Sequence, residues 1–194
     1  MRLEPAVIEN RFVRLEPLED GHREPLRAAC DADPDLWPSL YSMSLGGAHF
    51  DGGWETLREQ QARGWRIPYA VVHAGEVVGI STYLDVHPGN RSVEIGTTYY
   101  QPSARGGVVN PAAKRLLLGH AFECGAGRVA FQVDAINTRS RAAMTKLGAV
   151  EEGLHRHDKI TWTGRVRSTV VYSILPEEWP AVRDRLDARL AAFS

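Results

Sequence analysis

The sequence predicts one α/β domain in which helices flank a mixed central β-sheet. Three observations predict this fold class. The 194 residues are enough for a single hydrophobic core, and 43% hydrophobic with 24% charged residues is usual for a globular chain. Alternating and helical apolar patterns follow one another in the order β-α-α-β-β-β-α-β-α-β-β-α. Because no linker or repeat interrupts this order, residues 1–194 are expected to form a single domain.

The elements of the first half follow from turn and capping signals. A strand ends at Pro17, and Asp20 is a suitable cap for the next helix. His73-Ala-Gly75 is a hairpin signal between two strands, and His87-Pro-Gly-Asn90 is a second turn. The predicted elements of this half are a strand at 10–17, helices at 20–30 and 53–63, and strands at 67–72, 76–86 and 92–100.

The second half is marked by helix caps and by glycines that end helices. Asn110 is the expected cap of a helix with Pro111 at its first position, where the missing N–H costs nothing. Gly125 and Gly148 end two helices. The predicted elements are helices at 111–124 and 137–147, strands at 128–135, 150–159 and 166–175, and a closing amphipathic helix at 177–193.

Charge and composition exclude several classes of protein. A formal net charge of −1 gives no electrostatic basis for nucleic-acid or membrane binding. Cys30 and Cys124 lie far apart without metal-ligand spacing, and the seven histidines form no zinc pattern. No apolar run has the length of a membrane span, and no secretory signal follows Met1. The expectation is a cytoplasmic protein with two reduced thiols and no metal.

The most informative segment is 92–110, a strand that leads through a glycine pair into a helix. A flexible loop rich in backbone N–H groups, placed before a helix N-terminus, forms a cradle for phosphate. Gly106 and Gly107 would supply that loop, and Glu94 lies a short distance up the strand. The pattern indicates a phosphate-bearing cofactor. Taken alone, Glu94 fits a solvent-facing strand residue as well as a catalytic one.

Several motifs, in order, resemble the GNAT-type N-acetyltransferases, and most closely the branch that includes RimJ and RimL. The resemblance extends from about residue 10 to 180. The motifs that carry it are Glu94-Ile-Gly96, Gly106-Gly-Val-Val-Asn110-Pro-Ala-Ala-Lys114, Asn137-Thr-Arg-Ser140, Lys146-Leu-Gly148-Ala and Val170-Val-Tyr-Ser-Ile-Leu-Pro-Glu-Glu-Trp179. It implies a sheet of about seven strands that splays between the fourth and fifth, 92–100 and 128–135.

The resemblance also implies acetyl-CoA as co-substrate, held between the splayed strands. Its pyrophosphate would lie on the amides of 105–110, and its pantetheine would pair with strand backbone at 97–99. Asn137 and Ser140 match positions that contact the pantetheine arm and the thiol end. The implied cofactor-binding residues are Thr97, Thr98, Tyr99, Arg105, Gly106, Gly107, Val108, Val109, Asn110, Asn137 and Ser140.

Acetyl transfer to an amine requires a base, stabilisation of an oxyanion and a proton for the departing thiolate. Glu94 is the candidate base, acting through one water, and a strand N–H near Thr98 is the candidate oxyanion donor. The resemblance assigns the proton to Ser140, because Met144 stands where many relatives have a tyrosine. Val108 also departs from the family pattern, which has glycine there, and a β-branched residue resists positive φ.

The acceptor and the partners stay open at this level. Trp37, Tyr41 and Tyr83 are candidate walls of an acceptor groove, although aromatic residues at such positions are more often core. The leading prediction is an N-acetyltransferase of a protein or peptide N-terminus. The alternatives are an acetyltransferase of a small amine, such as an antibiotic, polyamine or amino acid, and a non-catalytic acyl-CoA-binding module. A homodimer through the last helix and strands is a further prediction.

Overall fold

The computed structural model describes residues 1–193, which form an eight-stranded sheet with helices on both faces. The strands are β1 (Ile8–Glu9), β2 (Arg14–Pro17), β3 (Arg66–His73), β4 (Glu76–His87), β5 (Ser92–Tyr100), β6 (Arg128–Asp134), β7 (Val150–Ile160) and β8 (Val166–Ile174). The helices are α1 (Arg23–Asp31), α2 (Leu36–Leu40), α3 (Phe50–Ala62), α4 (Val109–Glu123), α5 (Thr138–Leu147) and α6 (Trp179–Ala191).

The strands lie in the order β1-β2-β3-β4-β5-β6-β8-β7. The sheet is mixed because β5 and β6 run parallel while the other neighbours are antiparallel. The predicted α/β class with a mixed sheet is confirmed. The sequence pattern indicates seven strands, and the eighth is β1, in which Ile8 pairs with Leu15 of β2. Two residues are too few to show a period, so the sequence carries no signal for this strand.

Two apolar clusters cover the two faces of the sheet, and alternate residues of one strand join different clusters. Tyr100 packs with α4, α5 and α6, whereas its neighbour Tyr99 packs with α1, α2 and α3. The larger cluster includes Leu117 of α4 and Leu186 of α6. The sheet is therefore the middle of three layers, and any opening between its strands connects the two helical layers.

The sheet opens between β5 and β6. Their parallel pairing covers only Ser92–Glu94 against Arg128–Ala130. Beyond Glu94 the two strands separate, and a bulge at Thr97, whose φ is +43°, turns β5 further. The splay implied between the strands at 92–100 and 128–135 is therefore present, and Glu94 lies where it begins.

Four helices begin at least two residues away from the predicted start, and one of them is α6, which begins at Trp179 rather than at 177. Helix α4 begins at Val109 with Val108 as its cap residue, so Asn110 is inside the first turn rather than the cap. Proline is tolerated at any position of the first turn of a helix, so the presence of Pro111 does not fix the residue at which α4 begins. A 3₁₀ turn capped by Glu19 replaces the start assigned to Asp20. Helix α3 begins at Phe50, three residues before the predicted start.

Candidate active site

A cavity of about 850 Å³ lies where β5 and β6 separate and is bounded by the N-terminal turns of α4 and α5. We call it the cleft. Its volume is in the range of ligand-binding pockets. It brings together residues from Leu40 to Arg189 of the sequence. The predicted site residues that line it are Tyr41, Glu94, Thr97, Thr98, Arg105, Gly106, Gly107, Asn110, Asn137 and Ser140.

One end of the cleft is an anion cradle before α4. Among residues 1–193, the amides of Gly106, Gly107 and Val108 meet no acceptor in the protein. The turn is made at Gly106, whose φ of +76° suits glycine alone. Val108 has φ −77°, so the expected conflict at this β-branched residue does not occur. Four cations from α5 and α6 line the nearby wall: Arg139, Lys146, Arg185 and Arg189.

Arg105 fixes the cradle to the rest of the molecule. Its Nη1 donates to Asp33 at 2.5 Å and its Nε donates to the Tyr100 carbonyl at 2.7 Å. Its guanidinium also lies over the Tyr99 ring, 5.3 Å from the centroid. Its Nη2 is buried without a partner. Since an unpaired buried donor is costly, this atom is available for an acceptor that enters the cleft.

The start of α5 forms a second wall of the cleft. The Asn137 side chain accepts a hydrogen bond from the Ser140 amide at 3.0 Å and so caps the helix. Both residues line the cleft and are half-buried. The Ser140 hydroxyl meets no partner in the described part of the chain. Met144, one turn later on the same helix, is buried and also lines the cleft, and its thioether offers no proton.

Glu94 is a buried carboxyl at the point where the strands separate. Its side chain is 7% exposed, so the solvent-facing interpretation is wrong. Burial raises the pKa of Glu94 from 4.5 to about 7, with Asp85 adding to the rise. Lys159, Arg167 and Arg66 act in the opposite direction, but desolvation dominates. A carboxyl with a pKa near neutrality can accept a proton at physiological pH and release it again.

Gly96 makes room for the Glu94 carboxyl. A Cβ at Gly96 would lie 2.6 Å from the Leu84 Cδ1 and 2.9 Å from the Glu94 Oε1. Both are ends of flexible side chains, so the fold can absorb the extra atom by moving them. The position therefore controls where the carboxyl lies rather than whether the strand forms.

Gly96→Ala is expected to lower turnover by roughly 10- to 100-fold, because a displacement of about 1 Å at a reacting group has effects of this size. Binding of the cofactor at the cradle should be unchanged. Gly89→Ala is the matched control, since a Cβ there meets nothing within 4 Å. Steady-state kinetics of the two variants measure the effect, and equal turnover in both would show that Gly96 does not position the carboxyl.

The three aromatic residues assigned to an acceptor groove have different locations. Tyr41 lines the cleft, and its hydroxyl donates to the Thr98 carbonyl at 2.8 Å. Trp37 is 1% exposed, and its indole N–H donates to the Cys30 carbonyl at 3.2 Å. Tyr83 is fully buried, and its hydroxyl donates to the Leu117 carbonyl at 2.6 Å. The assignment of Trp37 and Tyr83 to the groove is wrong, because each directs its polar atom into the core.

Three of the residues assigned to cofactor binding do not line the cleft with their side chains. Tyr99 packs its ring among α1 and α2. Val109 is 2% exposed, and Val108 packs against the same core cluster. These three residues can therefore contact a cofactor only through their backbone N–H and C=O groups.

Many polar residues that line the cleft are not among the site residues assigned from the sequence, and Arg66, Tyr100 and Lys114 are three of them. Arg66 Nη1 lies 3.4 Å from the Thr97 hydroxyl. Tyr100 and Lys114 are both buried, at 7% and 4% exposure. The sequence signal available for Lys114 was its position four residues after Asn110, which places it on the same helix face one turn later. No group of three or more His, Cys, Asp or Glu side chains within residues 1–193 could hold a metal ion.

No helix within residues 1–193 has the length and apolar character needed to cross a membrane. Cys30 and Cys124 are both free thiols, the first buried and the second half-buried.

Comparisons with known proteins identify the family of this chain. The chain is 29% identical over 133 residues to "Putative ribosomal N-acetyltransferase YdaF" of Bacillus subtilis (strain 168), which is 64% of this chain and 72% of that protein. A "putative acetyltransferase" from T. thermophilus is 36% identical and has a TM-score of 0.87, with 98% of this chain and 100% of that chain covered.

Mycobacterium smegmatis RimJ, solved in complex with CoA-disulfide, is 26% identical and has a TM-score of 0.81, with 95% and 94% covered. The family described as "Acetyltransferase (GNAT) domain" matches residues 13–150. This match extends from β2 through α5 and contains the cradle, Glu94 and the splayed strands. The chain belongs to the GNAT acetyltransferase family.

Proposed function

We propose that this protein transfers an acetyl group from acetyl-CoA to the N-terminal α-amine of a protein or peptide. The observation that carries the proposal is the position of Glu94. It is a buried carboxyl with a pKa of about 7, located in the same cleft as the cradle, whose amides have no acceptor among residues 1–193. A base and an anion site at the two ends of one cleft are the elements that an acyltransferase requires.

The residues of the cleft fit acetyl-CoA. The free amides of Gly106, Gly107 and Val108, with the positive end of α4, suit a pyrophosphate. Beyond Glu94, the edge of β5 that faces β6 has no strand partner, so its backbone is available to an extended pantetheine arm. The CoA bound in the RimJ relative supports the same cofactor here. Acetyl-CoA would supply an activated acyl group, and the residues of the chain would supply the proton transfers.

Glu94 would take the proton from the attacking amine, directly or through one water. A base with a pKa of about 7 is well matched to an α-amine, which titrates near ~8, and poorly matched to a lysine near ~10.4. This difference favours a terminal amine over a side-chain amine. The name of the YdaF relative, a ribosomal N-acetyltransferase, supports a protein acceptor.

Two further roles complete the proposed mechanism. The Thr98 amide, beside the bulge at Thr97, would donate to the oxyanion that forms at the acetyl carbon. Ser140 would pass a proton to the departing sulfur and regain one from water, to which Glu94 releases the proton taken from the amine. Its hydroxyl lines the cleft and has no partner among residues 1–193. Met144 occupies the neighbouring position and would contribute only packing.

The acceptor is tested with two peptides that differ only at the N-terminus and at one internal position. The first has a free N-terminus and no lysine, and the second has a blocked N-terminus and a single lysine. We expect intact-mass analysis to show one acetyl group added to the first and a much slower reaction with the second. A panel of polyamines and aminoglycosides is assayed in parallel. Transfer to that panel alone would contradict the peptide acceptor, and acetyl-CoA binding without transfer to any amine would contradict an enzymatic role.

A further inference from the structure

Lys114 is a buried cation in the wall of the cleft that the mechanism above does not use. It lies on the second turn of α4 and is 4% exposed. Its Nζ donates to the Thr98 hydroxyl at 3.1 Å and lies 5.6 Å from the centroid of the Phe131 ring. No carboxylate of residues 1–193 forms an ion pair with it.

The position is energetically unfavourable for a lysine in the protein by itself. Burial alone lowers the pKa of Lys114 to about 7, and no opposite charge compensates for the lost hydration. An ammonium has three N–H donors, and the hydrogen bond to Thr98 uses one of them. The remaining donors can reach an acceptor that enters the cleft, which would offset the cost of burial.

Tyr100 shows the same feature independently. It is 7% exposed, it lines the cleft, and its hydroxyl is buried without a hydrogen-bond partner. It lies on β5 two residues after Thr98, the residue to which Lys114 donates. Two buried donors with unused hydrogen-bonding capacity therefore lie along the part of the cleft that follows the bulge.

We propose that Lys114, with Tyr100, binds carbonyl oxygens of the pantetheine arm of acetyl-CoA and so positions the acyl end of the cofactor. This inference rests on the proposed function. The pantetheine arm carries amide carbonyls, which accept hydrogen bonds and bring no charge. The phosphates are accounted for elsewhere, because the cradle lies at the start of α4. Lys114 is four residues beyond Asn110, which places it about 6 Å further along the helix axis.

The test separates the arm from the nucleotide. Acetyl-CoA and adenosine 3′,5′-bisphosphate, which lacks the arm, are titrated by calorimetry into the wild type and Lys114→Met. We expect the affinity of the variant for acetyl-CoA to be lower than that of the wild type by a factor of about ten or more, which corresponds to the loss of a charged hydrogen bond. The affinity for the bisphosphate should be the same in both proteins. Arg115→Met is the matched control. It removes a cation from the same helix whose partner is Asp187 on α6, and it should leave both affinities unchanged.

Thermal unfolding of the unliganded proteins distinguishes a binding role from a structural one. At pH 6, where the amine is charged, Lys114→Met should unfold at the same temperature as the wild type or higher, because it removes an uncompensated buried charge. Tyr100→Phe keeps the ring and removes only the unpartnered hydroxyl, so it supplies a second variant that folds, and it should weaken acetyl-CoA selectively.

Three results would overturn the inference. Unchanged acetyl-CoA affinity in Lys114→Met, or in Tyr100→Phe if Lys114→Met does not fold, would show that these donors are structural. An equal loss for both ligands would show contact with phosphate rather than with the arm. Lower stability with unchanged affinity would also exclude the binding role. If the wild type itself binds neither ligand, the proposed function fails, which is distinguishable from all three.

Discussion

Glu94→Gln is expected to lower kcat by roughly 100-fold or more at pH 8, because the amide cannot accept the proton of the attacking amine. General-base catalysis contributes about 10²- to 10⁴-fold in enzymes, so this is the largest single effect on rate that the site predicts. The substitution keeps the shape of the side chain and should leave acetyl-CoA affinity unchanged, since Glu94 is near the start of β5 and the cradle follows the end of that strand.

Asp85 provides the matched control for this prediction. It also lines the cleft and is a carboxylate beside Glu94, but it is exposed. Asp85→Asn should therefore retain most of the activity in the same steady-state assay. A large loss of activity in Asp85→Asn, together with full activity in Glu94→Gln, would show that Asp85 is the base and that the assignment to Glu94 is wrong.

Glu94→Gln is also expected to stabilise the folded protein at neutral and alkaline pH. In the folded state the pKa of Glu94 is raised from 4.5 to about 7, so the native protein binds more protons than the unfolded chain between these values. Stability therefore falls as pH rises from 4.5 to 7 and stays low above that range. At 1.36 kcal/mol per pKa unit the cost reaches about 3 kcal/mol, and Glu94→Gln removes it.

Urea denaturation at pH 8 and at pH 5 measures this difference. Glu94→Gln should be more stable than the wild type at pH 8, and the gap should narrow at pH 5, where the folded wild type already holds the proton. Glu55→Gln, at an exposed position on α3, should show no such pH-dependent gap. A constant difference between Glu94→Gln and the wild type at both pH values would mean that Glu94 does not titrate near neutrality in the folded state.

Features of the site that depend on local chemistry could be predicted from sequence. Gly106 was identified as the turn before a helix, and its positive φ is the conformation that such a turn requires. Asn137 was identified as a helix cap, and it accepts the Ser140 amide. These residues act on neighbours within a few positions, so their environment is largely contained in the sequence around them.

Features that depend on which face of an element is covered could not be predicted in this way. Glu94 alternates with apolar neighbours in a pattern that fits either face, and only the arrangement of β5 against β6 makes it buried. Lysine side chains are usually exposed, yet Lys114 is on the face of α4 that packs against the sheet and is buried. Trp37 lies in a five-residue helix that contains Pro38, too short to show a period.

The measurement that tests the central claim most directly is the pH dependence of kcat for acetyl transfer to a peptide N-terminus, compared between the wild type and Glu94→Gln. For the wild type we expect kcat to rise with pH and to level off with a break near 7, the pKa of the buried carboxyl. The variant should lack that break. The same break in both proteins would contradict the assignment of Glu94 as the base and the account of the cleft built on it.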